Sequence, residues 1–180
     1  MTSPSTAKTT TATAHEAWNQ SWQTAEGRAR WLTAEQAVLT QATRLRLRGA
    51  QTALDLGCGV GRHTLALARL GFDVTAFDAS DAGLAETARS AKDLSLAIQT
   101  QQGSMTELPF ADDSFDYLLS WNVIYHGDET LARKCVAEIA RVQKPVGTLQ
   151  LKMLSKLRFD YGVGVEISRT HFLQPASSCD

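Results

Sequence analysis

Apolar and polar positions along the chain follow two periods, and the switches between them mark alternating strands and helices. Leu54-Asp55-Leu56 reads as a buried strand that breaks at Gly57-Cys58-Gly59-Val60-Gly61 and opens into a helix near Arg62. That helix runs through Leu65-Ala66-Leu67-Ala68-Arg69-Leu70 to a stop at Gly71, and Phe72-Asp73-Val74-Thr75-Ala76-Phe77 makes a second strand ending in Asp78. Ser80 suits the N-cap of a helix through Ala91. Leu94-Ser95-Leu96-Ala97-Ile98-Gln99 predicts a third strand, and Tyr117-Leu118-Leu119-Ser120-Trp121 a fourth after a turn over Asp112 to Asp116. Asp128 caps a helix on which Leu131, Cys135, Ile139 and Val142 share one stripe, and Thr148 to Met153 make a fifth strand. This alternation predicts an α/β domain over residues 51–157, with a mostly parallel sheet and helices on both faces.

Upstream of the first strand the pattern changes. Residues 1–14 are a low-complexity Ser/Thr/Ala stretch, expected to be a disordered tail because they bury too little to offset ordering. Residues 15–50 read as an N-terminal helical cap. Trp18 and Trp22 share a helix face, and Thr33-Ala34-Glu35-Gln36 fits a capping box ahead of a stripe at Val38, Ala42 and Leu45. Two readings of Trp18, Trp22 and Trp31 stay open: they close a site, or they pack helices onto the sheet. Arg44, Arg46 and Arg48 similarly read as the solvated end of a helix, with contact to an anion as the competing reading.

The break after Leu56 carries the chemistry. A glycine-rich turn lets a ligand approach the main chain, and the following helix aims its free N–H groups at that ligand. Asp78 ends the second strand about twenty residues past Gly57, where a carboxylate can take both hydroxyls of a ribose. Strand, glycine turn, helix, strand and acid together predict a site for an adenosine-containing cofactor.

The dinucleotide fingerprint is G-x-G-x-x-G, whereas here the third glycine comes one residue early and Asp55 stands two before the first. The run Asp55-x-Gly57-x-Gly59-x-Gly61 resembles motif I of the class I S-adenosylmethionine (SAM) methyltransferases. The resemblance implies a Rossmann-like fold in which Gly57, Cys58, Gly59 and Gly61 hold the methionyl part of SAM and Asp55 shapes the loop. It implies that Asp78 binds the ribose and that Ala79, Ser104 and Met105 border the adenine. Ser104 stands where the family usually has an acid, so the adenine contact would lack charge assistance. Trp121 is a further implied cofactor contact. Beyond it, Asn122, Tyr125 and His126 are the candidate catalytic residues facing the methyl acceptor, with His126 able to act as a base or to steer the acceptor.

Glu138-Ile139-Ala140-Arg141-Val142-Gln143-Lys144-Pro145-Val146-Gly147 resembles the family's Glu-Ile-x-Arg-Val-Leu-Lys-Pro-Gly-Gly, with Val146 in place of the first glycine. If that position needs positive φ, the turn is either remodelled or strained. The family sheet usually ends in an antiparallel hairpin beside strand five. Residues 158–180 are expected to form an incomplete C-terminal segment with those strands missing, leaving strand five an open edge for a partner chain or a second copy. A narrower resemblance, to the tellurite-resistance-type branch of small-molecule methyltransferases, rests on Trp121 to Gly127, on Met153-Leu154-Ser155-Lys156 and on the glycine-containing run after them.

Composition adds exclusions. A net charge of −1 gives no electrostatic footprint for nucleic acid. The three cysteines, Cys58, Cys135 and Cys179, lack C-x-x-C spacing, and the four histidines lack metal-ligand spacing, so no metal is expected. No apolar run reaches membrane-helix length. A cytoplasmic enzyme moving a methyl group from SAM to a small-molecule acceptor is the expected function. A SAM-binding chain that is inactive or needs a partner is the first alternative, and a nicotinamide-dependent oxidoreductase the second.

Overall fold

The computed structural model describes residues 10–126 and 128–153, and the backbone of two short strands at 165–168 and 171–173. Five strands form the central sheet: β1 (Thr52–Leu56), β2 (Asp73–Asp78), β3 (Gln99–Gln102), β4 (Phe115–Trp121) and β5 (Gln143–Lys152). Their order is β3-β2-β1-β4-β5 and every pairing is parallel. The helices are α1 (Thr10–Trp22), α2 (Ala25–Ala29), α3 (Gln36–Leu47), α4 (Arg62–Arg69), α5 (Asp81–Asp93) and α6 (Glu129–Val142).

The period-two side chains divide the core as a sheet covered on both faces requires. Ala53, Val74, Tyr117 and Leu119 face Val38, Ala42 and Leu45 of α3 and Leu67 of α4. Leu54, Leu56, Phe77 and Leu118 face Cys135, Ile139 and Val142 of α6. Strand order reverses between β1 and β4, so a crevice opens where their C-terminal ends separate. At the opposite end, Asp116 ties the strands together. Its Oδ2 accepts from the Gln51 and Thr52 N–H groups and the Thr52 hydroxyl (2.9, 2.9 and 3.0 Å), and its Oδ1 from Lys144 Nζ at 2.8 Å.

Several expectations are corrected. Helix α1 begins at Thr10, inside the segment read as a disordered tail, while residues 1–9 lie outside the described residues. The reason is docking: Asn19 Oδ1 accepts from Ser80 Oγ (2.7 Å) and the Ala82 N–H (3.0 Å), and Trp22 is buried. Helix α3 is a sheet-covering helix rather than part of a cap. Its N-cap is Glu35 with no side-chain cap bond, so Thr33 forms no capping box.

The third strand lies at 99–102, not 94–99. Leu94 and Leu96 instead finish α5, their N–H groups bonding to Ser90 and Ala91 carbonyls, with Ser95 at φ 54°. What pairs with β2 is the polar run Gln99-Thr100-Gln101-Gln102, suited to an exposed sheet edge.

The Val146 turn is remodelled. Strand β5 follows α6 directly, pairing Phe115 with Gln143 and then Tyr117 with Thr148 across a bulge of four residues. Val146 projects into solvent at 94% exposure and is not among the described residues with positive φ, so no left-handed strain arises there. The Arg44–Arg48 cluster is structural at its centre: Arg46 donates to the carbonyls of Ala50 and Leu70 and lies 5.3 Å from the Phe72 ring centre.

Strand β5 is an outer strand of the sheet, with Leu149 and Leu151 partly exposed. The described sheet stops at β5, as expected, while β6 (Val165–Ser168) and β7 (His171–Leu173) form an antiparallel pair of their own that is not part of it. Gly127, Leu154-Ser155-Lys156 and Tyr161 to Gly164, which carry much of the narrower resemblance, lie outside the described residues.

Candidate active site

The turn after β1 is built from backbone hydrogen bonds. The N–H groups of Gly57 and Cys58 both donate to Phe77 O (2.7 and 3.1 Å), folding the loop over the end of β2. The Gly59 N–H donates to Asp78 Oδ2 and the Ser80 N–H to Asp78 Oδ1, both at 2.8 Å. Asp78 therefore locks the glycine loop to the start of α5, and each oxygen keeps a lone pair for a ligand hydroxyl. Burial raises its pKa, against the lowering effect of those backbone donors.

Two glycines are required for different reasons. Gly57 sits at φ 73°, and a Cβ there would run into the Val123 side chain. Gly61 is the N-cap of α4 at φ 82°, and a Cβ there would meet Thr87 of α5 at 2.6 Å. Gly61 is thus a packing position behind the loop. Asp55 also lies beneath it: 2% exposed, it accepts from Thr64 Oγ1 at 2.7 Å and fixes the first turn of α4. Burial raises its pKa to about 6 despite the Thr64 bond.

A cavity of about 690 Å³ opens over this turn. One half is walled by Phe77, Asp78, Ala79, Gly103, Ser104 and Met105. Here Gln102 Nε2 donates to Ala79 O at 3.0 Å, and Ser104 Oγ is 2.8 Å from Thr106 Oγ1. Cys58 and Gly59 floor the middle, with the Cys58 thiol pKa pushed up by burial. The other half takes Trp121 and Asn122 from the end of β4, and Tyr125 and His126 from the 3-10 turn after it. Asn122 adopts φ 63°, which turns the chain out of the strand. Trp121 Nε1 and Asn122 Oδ1 are buried atoms without a hydrogen-bond partner among the described residues, one a donor and one an acceptor.

Sequence reasoning missed two residues here. His63 and Arg62 line the cavity from the first turn of α4. His63 is 4% exposed, accepts from the Glu35 N–H through Nε2 (3.3 Å) and meets the Trp121 ring at 5.6 Å. Burial, with Arg62 and Lys152 nearby, pushes its pKa down to about 3, so the ring is neutral. Arg62 lies 5.1 Å from the centre of the Trp31 ring. The open question about the tryptophans is answered: Trp18, Trp22, Trp31 and Trp121 all line the cavity, although Trp22 packs as well as lines.

A family model described as a methyltransferase domain matches residues 53–147. The chain belongs to this methyltransferase domain family. The matched span runs from β1 to the bulge of β5, and so covers the loop, Asp78 and the post-β4 turn. YodH of Bacillus subtilis, an uncharacterized methyltransferase, is 34% identical over 99 residues, covering 55% of this chain and 41% of YodH. A ubiquinone biosynthesis O-methyltransferase of Rickettsia akari is 27% identical over 115 residues, covering 64% of this chain and 45% of the relative. The chain therefore spans less than half the length of these curated relatives. The crystal structure of PH0226 from Pyrococcus horikoshii superimposes with a TM-score of 0.58 at 26% identity, covering 71% of this chain and 58% of that one. The fold is the Rossmann-like one of class I SAM methyltransferases, and the family implies SAM as cofactor.

Proposed function

We propose that this methyltransferase domain binds SAM over the glycine turn and transfers its methyl group to a small-molecule acceptor held in the aromatic half of the cavity. The observation that carries this reading is that one continuous cavity joins Asp78 and the glycine turn to Asn122, Tyr125 and His126. The residues present fit the cofactor. The loop is closed to a Cβ at Gly57, Asp78 retains acceptor capacity, and Trp121 Nε1 and Asn122 Oδ1 are unspent polar atoms. In this reading Gly57, Cys58 and Gly59 hold the methionyl part, with Asp55 and Gly61 supporting them from behind. Asp78 takes the ribose, and Ala79, Ser104 and Met105 border the adenine, with Trp121 closing the middle.

SAM, when bound, supplies a methyl group on a positively charged sulfur, already activated for transfer. The chain's task is alignment, and positioning of this kind can lower a barrier by roughly 7–11 kcal/mol. In this reading Asn122 and Tyr125 flank the acceptor, the tryptophans exclude water, and His126, whose ring meets Trp18 at 6.0 Å, takes the proton from an acceptor that carries one. A cytoplasmic location and a partner along β5 belong to the same reading. The latter is supported by the partly exposed Leu149 and Leu151 on that outer strand. Among the described residues no helix is long and apolar enough to cross a membrane.

Calorimetric titration with SAM, run beside Asp78→Ala, tests the proposal. Saturable binding that the substitution weakens by about tenfold or more, roughly 1.4 kcal/mol, is the expected result. A folded wild-type chain that takes up no SAM would sink it.

A further inference from the structure

The acceptor half of the cavity has a charge and ring pattern that selects a class of substrate. All four tryptophans of the chain line the cavity. Trp18 and Trp22 stack at 4.9 Å, and Trp31 stands edge-on to both, at 5.3 and 6.0 Å. A box of aromatic rings commonly serves organic cations, which sit on ring faces. Here two of the rings already carry the chain's own cations. Arg62 lies against the Trp31 ring and Lys152 against the Trp121 ring, 5.1 and 4.9 Å from their centres. Trp18 and Trp22 spend a face on each other.

A carboxylate would strengthen the hold on a bound cation, and among the described residues the cavity wall offers only Asp78. Both of its oxygens receive backbone N–H groups, and the lone pairs left to it are those the proposed ribose contact uses, with Trp22 close by across Gly59. Arg62 is the reverse case. Its side chain is 12% exposed, its ion pair with Glu35 is loose at 3.6 Å, and its one hydrogen bond among the described residues, to Thr33 O, is long at 3.5 Å. A guanidinium has five N–H donors, so Arg62 keeps donor capacity and positive charge facing the cavity.

We propose that the acceptor is a planar aromatic molecule that is neutral or anionic, and that Arg62 is the residue that rejects positively charged acceptors. The proposal rests on the methyltransferase reading above and narrows its substrate. Flat rings slot beside the tryptophan edges, where offset or edge-to-face contact is favourable. An anionic substituent gains from the unspent Arg62 donors, and a cation meets a like charge that the loose Glu35 pair offsets only in part.

The test uses the whole chain saturated with S-adenosylhomocysteine and four probes in calorimetric titration: catechol, 3,4-dihydroxybenzoate, dopamine and cyclohexanecarboxylate. The first three share one ring and differ in charge; the last keeps the anion without the aromatic plane. Catechol and 3,4-dihydroxybenzoate are expected to bind about tenfold or more tighter than dopamine, and 3,4-dihydroxybenzoate about tenfold tighter than cyclohexanecarboxylate. Arg62→Gln should narrow the gap between 3,4-dihydroxybenzoate and dopamine by about fivefold, whereas Arg62→Lys, which keeps the charge, should hold it within about twofold. Dopamine binding as well as catechol, the saturated anion matching the aromatic one, an unchanged gap in Arg62→Gln, or no binding of any probe would each overturn the proposal. Failure to take up S-adenosylhomocysteine would overturn the methyltransferase reading itself, and the two failures are read in separate titrations.

Discussion

His63→Gln should reverse the direction in which the protein responds to mild acid. In the folded chain His63 is 4% exposed and its pKa is pushed down to about 3 from an ordinary 6.5, chiefly by burial and then by Arg62 and Lys152. The unfolded chain takes up this proton below pH 6.5 while the folded chain refuses it, so stability is full above that value and is lost as pH falls toward 3. Between pH 7 and pH 5 the loss works out at about 2 kcal/mol. Asp55 acts in the opposite sense. Burial raises its pKa to about 6 from 3.8, so the folded state binds the proton first, and stability is gained as pH falls through that window. Over the same interval the gain is about 1 kcal/mol. The wild-type chain should therefore lose a little stability from pH 7 to pH 5, and His63→Gln should gain. Glutamine suits the test because its carboxamide oxygen can accept the Glu35 N–H and does not titrate. Urea unfolding followed by far-ultraviolet circular dichroism at pH 5, 6 and 7 gives both curves. Parallel profiles, differing by a constant offset across the window, would refute the assignment of a buried neutral His63.

Three further substitutions separate the fold from the site. Gly57→Ala, at φ 73° and facing Val123, should cost about 3 kcal/mol from left-handed strain and overpacking; an unchanged melting temperature would contradict the loop geometry. Asn19→Ala removes the acceptor for Ser80 Oγ and the Ala82 N–H and should cost about 1 kcal/mol, with faster hydrogen exchange in the first turn of α5. Unaltered exchange there would show that α1 does not hold that turn. Asp116→Ala should lower stability by about 2 kcal/mol while leaving SAM affinity within twofold, because it acts at the strand ends opposite the cavity; a parallel loss of SAM affinity would contradict that separation.

What the sequence made legible was local. The path from β1 through the glycine turn and α4 to Asp78 is set by hydrophobic period, turn residues and caps within one stretch of chain, and the structure follows it residue by residue. The Ser80 and Asp128 caps form as expected, each accepting from the backbone N–H three residues on. The misses have two causes: at Leu94 and Leu96 the end of the neighbouring helix outranks the alternation, and elsewhere distant partners outrank local pattern. Leu94 and Leu96 alternate like a strand, yet their N–H groups are taken by the end of α5. Lys144 leaves the expected turn because Asp116, 28 positions earlier, holds its ammonium. His63 reads as an ordinary helix position until α3 presents the Glu35 N–H, again from 28 positions away.

The same distinction divides the cavity. The half around the glycine turn and Asp78 is made by one consecutive βαβ unit and the loop after β3, so a motif reports it. The half around Trp31, Trp121 and His126 is assembled from α1, the segment after α2, α4 and the end of β4, so no motif can. Helix α1 joins the two. Asn19 holds the turn that follows Asp78, while Trp18 and Trp22, on either side of it in the chain, line the cavity. A change in how α1 docks therefore reaches the Asp78–Ser80 turn and the aromatic box together.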